Sequence, residues 1–142
     1  MDEFLIPLSE LYRLTTEDMR RSLREAGGGE LRLSGEAIDR LLLGRTEALR
    51  AAGRVEFGGG VLPKLLYAFR SSPYLAPEDA EETLAALQEM FYACQNDLRG
   101  RWTDDELIEY MAGTFNGRAH GSLDYLTGAL EELGRGRAGD AP

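Results

Sequence analysis

Apolar side chains recur three and four positions apart along most of the chain. The clearest run is Ala80, Leu84, Leu87, Phe91, Cys94 and Leu98, with steps of 4, 3, 4, 3 and 4. Such spacing lines one side of a helix with 3.6 residues per turn. Ile38, Leu41, Leu42, Leu49 and Ala52 repeat the pattern upstream, as do Leu62, Leu65, Leu66 and Phe69. Downstream, Leu107, Ile108, Met111 and Phe115 form one stripe, and Leu123, Leu126, Leu130 and Leu133 another.

Punctuation residues set the expected ends. Ser34 caps the helix bearing Ile38, and Gly53 supplies its left-handed stop. The "SSPYLAP" stretch ends the Phe69 helix, because a residue before proline is pushed out of helical geometry. Pro77 fits the first position of the next helix, with Glu78 and Asp79 at its positive end. Thr103 and Glu106 form a capping box, and Gly117 closes that helix. Near the N-terminus the pattern predicts a short helix from Ser9 to Leu14. A second starts at Thr15 and Thr16 and ends at Gly27 to Gly29. Leu31 to Leu33 and Val55 to Phe57 alternate instead, and are candidates for a minimal two-stranded ribbon. The expected fold is mostly α: a single-domain bundle of five to six helices over residues 1–134, with 135–142 as a flexible tail.

Composition narrows the classes. A chain of 142 residues, 43% hydrophobic and 29% charged, suits one globular domain. No apolar run reaches the roughly 18 residues of a membrane span, and the acidic start lacks the features of a secretory leader. With a single cysteine, Cys94, an internal disulfide is excluded, and a cytoplasmic location is expected. The net charge of −9 is concentrated in residues 76–133, which hold thirteen acids against three bases. That balance argues against a nucleic-acid partner. Glu81, Glu82, Glu89, Asp97, Glu109 and Glu132 lie beyond what helix capping requires. Gathered on one surface they would steer a basic partner; spread out, they serve solubility.

The stretch "EFGGGVLPK" invites a functional reading. Gly58, Gly59 and Gly60 lead into a helix start, where backbone N–H groups attract anions. Lys64, Arg54, Glu56 and Tyr67 would complete such a ligand site. The match to a phosphate loop is poor, because Lys64 follows Pro63 and precedes Leu65. A tight turn through positive φ is the structural alternative. His120 is the sole histidine, and with no cysteine pair nearby it suggests a surface or capping role and no metal site. Cys94 falls on the core stripe, so packing is expected of it and not nucleophilic chemistry. The paired acids sit at helix starts or on polar faces, and no catalytic constellation or cofactor motif is present.

The segments "GRVEFGGGVLPKLLYAF", "SSPYL", "TLAALQEMFYA", "DDELIEYM" and "GSLDYL", spanning roughly Leu31 to Leu133, resemble a family of uncharacterised bacterial proteins known as a domain of unknown function. The resemblance implies a helical protein of the bacterial cytosol. Members often carry Cys-Asp where this chain has Arg70-Ser71, so no thiol role transfers to that position. The leading functional expectation is a non-catalytic protein-interaction module with an unidentified protein partner. The alternative is a small-molecule or anion-binding protein, enzymatic or not, using the glycine loop. Oligomeric state stays open.

Overall fold

The computed structural model describes residues 8–56 and 60–136, with side chains from residue 17 onward. Six helices follow one another: α1 (Leu8–Gly27), α2 (Gly35–Ala52), α3 (Val61–Phe69), α4 (Ala80–Leu98), α5 (Asp104–Asn116) and α6 (Leu123–Gly134). Among the described residues there is no strand. The fold is an all-α bundle. No described helix is long and apolar enough to cross a membrane.

The most regular stripe becomes the centre of the bundle. Ala80, Leu84, Leu87, Phe91, Cys94 and Leu98 are all buried, and α4 packs against α2, α3, α5 and α6. Burying a side chain such as Phe91 contributes about 2–3 kcal/mol, which is what draws the amphipathic helices together. α3 is apolar on most of its surface, because α1, α4 and α5 all pack on it. Phe69 at its end meets Phe115 of α5 edge to face at 5.4 Å.

Local signals placed several ends correctly. The Ser34 hydroxyl accepts from Ala37 N–H, and Gly53 closes α2 at φ 64°. The Thr103–Glu106 capping box forms in both directions, with bonds of 2.8 and 3.1 Å. Other expectations are corrected. The N-terminal pair of helices is one continuous α1. Threonine costs a helix interior only a few tenths of a kcal/mol, so Thr15 and Thr16 do not break it once Met19 and Leu23 bury on the bundle. Pro77 lies in a turn, and α4 begins three residues later, after Asp79. Asp79 N–H bonds to Ala76 C=O, so the proline initiates that turn instead of the helix. Leu31 to Leu33 form no strand: both leucines pack half-buried against the helical core. Two isolated tripeptides hold too few ladder bonds to compete with that burial. The other half of the expected ribbon includes Phe57, outside the described residues, and Val55 is exposed. Residues 137–142 of the expected tail also lie outside them; Arg135 and Gly136 form a turn after α6.

Candidate functional site

The chain leaves α2 at Gly53, and within seven residues it must enter α3. Of the three glycines, Gly58 and Gly59 lie outside the described residues. Gly60 is the residue before α3, with φ 66° and ψ −148°. That region is nearly closed to residues with a Cβ. A Cβ there would also lie 2.9 Å from Glu56 Cδ and 3.1 Å from Arg45 Nη2. The glycine is thus required twice, by backbone geometry and by the side chains beside it.

Glu56 explains the crowding. Its side chain is only 5% exposed, and its carboxylate is met from four directions. Val61 N–H, at the first turn of α3, donates to Oε1 at 3.3 Å. Arg45 Nη2 lies 3.4 Å from the same oxygen. Tyr92 of α4 donates its hydroxyl to Oε2 at 2.7 Å, and Arg54 Nη2 is 3.1 Å away. The anion held at the start of α3 is therefore the chain's own. Burial first, and then the bond to Glu56, push the Tyr92 phenol far above its ordinary range.

Arg54 extends the network. Its guanidinium makes a forked pair with Asp104 at the start of α5 and stacks over the Tyr92 ring at 5.4 Å. Gln95 bridges from α4, donating to Asp104 Oδ1 and to Trp102 C=O at 3.0 Å each. Burial alone would raise the Asp104 carboxyl, but the bonds from Arg54 and Gln95 outweigh it and hold the group below its usual range. Lys64 pairs with the adjacent Asp105 at 2.9 Å. The structure brings Arg54, Glu56, Gly60 and Lys64 into one corner between α2, α3 and α5. Each charged member of that set has an internal partner. Arg45, Tyr92, Gln95 and Asp104 were not singled out by sequence as members of this site. Tyr92 sits one position beyond the core stripe, which was the available signal.

Tyr67 belongs elsewhere. It is 62% exposed, under the guanidinium of Arg70 at 4.3 Å, and walls an open groove of about 660 Å³ between α3 and α5. The two helices run in the same direction, since Lys64 meets Asp105 at one end and Ser72 meets Asn116 at the other. Pro63, Tyr67 and Ala68 line one side; Ile108, Ala112 and Gly113 line the other. Gly113 is exposed in the interior of α5. A glycine there costs about 1 kcal/mol relative to alanine. Yet a Cβ at Gly113 would meet nothing within 4 Å among the described residues. Internal packing does not demand this glycine.

Five of the six acids that capping does not require fall at different places on the bundle. Glu81 pairs with Arg40 at 2.6 Å, Glu109 lines the α3–α5 groove, Glu89 lies between α2 and α4, and Asp97 and Glu132 line two further clefts. His120 is exposed, in left-handed backbone at φ 48°, with Nδ1 3.3 Å from the Tyr74 hydroxyl; Ser122 is the residue that caps α6. Among the described residues no group of three or more His, Cys, Asp or Glu is arranged to hold a metal ion.

A family model matches residues 24–139, most of the chain. The chain belongs to DUF6323, a family of unknown function. No curated protein and no solved structure matches it. The span shared with DUF6323 includes the turn into α3, the Glu56 network and both walls of the groove.

Proposed function

We propose that this protein is a non-catalytic protein-interaction module that docks its partner in the groove between α3 and α5. The observation that carries the reading is the pairing of an apolar groove with an interior glycine, Gly113, that the fold itself does not need. Tyr67, more than half exposed on the rim, adds the type of aromatic side chain enriched in protein interfaces. The lone free cysteine and the bacterial family resemblance support a cytoplasmic setting.

The alternative, an anion or small-molecule site at Gly58 to Gly60, loses weight through the contacts of Glu56. An anion seated on Val61 N–H would have to displace that carboxylate, and one drawn to Arg54 and Lys64 would compete with Asp104 and Asp105.

Site-specific photo-crosslinking tests the reading. A photoreactive residue replaces Tyr67 in one variant and Leu43, exposed on α2, in another. In cells of the source organism, position 67 should crosslink to one dominant protein that then binds the purified module. Equal crosslinking from both positions, or none from position 67, refutes it.

A further inference from the structure

We infer that the occupant of the α3–α5 groove is an amphipathic helix from another protein, with lysine or arginine beside its apolar face. The inference rests on the docking reading above and adds the chemistry of the partner.

Shape comes first. The groove runs along α5 from Asp105 to Asn116, three turns of helix, between two parallel walls. Its lining includes small residues on both sides, Ala68 on α3 and Ala112 and Gly113 on α5, with Ile108 one turn before Ala112. Small residues allow a third helix to approach closely, with larger apolar side chains at i, i+3, i+4 and i+7 filling the space above them. An extended strand is a poorer fit, because the groove walls are helices whose backbone donors and acceptors are already paired.

Charge selects the partner. Lys64 and Asp105 neutralise each other at one end. Glu109, exposed and one turn further along, makes no ion pair or hydrogen bond among the described residues. The groove therefore offers one uncompensated negative charge beside its apolar lining. A second copy of this chain docking through its acidic half, residues 76–133, would meet that charge with repulsion. A basic helix would meet it with attraction, at the rim, where the effect falls on partner choice and association rate.

The test uses two synthetic helical peptides of about 18 residues with the same leucine face. One carries lysines at the edges of that face, the other glutamates. Each is titrated into isotopically labelled full-length protein and followed by amide chemical shifts. The lysine peptide should shift α3 and α5 amides and bind about five-fold tighter than the glutamate peptide. Glu109→Lys should reverse the preference, and Gly113→Leu should abolish groove shifts for both peptides while circular dichroism confirms the fold. Gly128→Ala, on α6, should leave binding unchanged. Equal binding of both peptides in the groove overturns the charge inference and leaves the docking surface standing. No groove shifts with either peptide overturn the helical occupant; if Tyr67 also fails to crosslink, the interaction reading falls with it. A dimer in sedimentation that Gly113→Leu dissociates makes a second copy the occupant and overturns the inference.

Discussion

Replacing Gly60 by alanine separates a structural turn from a ligand loop. Two costs are expected. The backbone at φ 66°, ψ −148° is strained for any residue with a Cβ, by about 1–3 kcal/mol. The new methyl group also overlaps the Glu56 carboxylate, which is held by Val61, Arg45, Arg54 and Tyr92. Glu56 cannot swing away freely, because its departure would leave Arg45, whose side chain is 13% exposed, without its carboxylate. Together these put the loss at about 2–4 kcal/mol. Urea unfolding followed by circular dichroism measures it. In a Glu56→Ala background the overlap disappears and the strain remains, so Gly60→Ala should cost at least 1 kcal/mol less there. A loss under about 0.5 kcal/mol in the wild-type background would refute the argument from geometry. Equal losses in both backgrounds would refute the part assigned to Glu56.

Other consequences follow from the same contacts. Thr103→Ala removes the cap of α5 and should cost about 1 kcal/mol by urea midpoint, with the helix otherwise retained. Asp104, Glu106 and Glu81 are all held below their usual carboxylate range, Asp104 and Glu81 by arginine partners and Glu106 by the Thr103 cap. Their stabilisation is fully present above the ordinary carboxylate pKa of about 4 and is lost as pH falls below it. Unfolding midpoints should therefore be flat near neutrality and decline below about pH 4.5, and Asp104→Asn should shallow that decline. Burial, aided by Asp97, pushes the Cys94 thiol up to about 11. Native protein at pH 8 should resist a thiol reagent that labels it fully in urea; rapid native labelling would contradict the packing described for α4.

Much of the bundle was legible because its information is local. The 4-3-4-3-4 run of α4 defines a helix and its buried face whatever lies opposite. The Ser34, Gly53 and Thr103–Glu106 signals act within one turn of chain, and all three operate as the sequence suggests. Where local cues competed with packing, packing won: α1 runs through Thr15 and Thr16, and Leu31 and Leu33 join a helical core instead of a ribbon. The glycine stretch shows the other limit. Sequence could place Gly60 before a helix, but a carboxylate four residues upstream and a tyrosine thirty-two downstream converge there only through the packing of α2, α3 and α4. Charge partners of Arg54 and Lys64 come from α5, forty and more positions downstream. The groove is more remote still from the sequence pattern. It exists because α3 and α5 lie side by side in parallel, and no periodicity within either helix states that. Helix ends and buried stripes follow from interactions a few residues apart. Which charges cancel, and which apolar surface stays uncovered, is decided by which helices become neighbours.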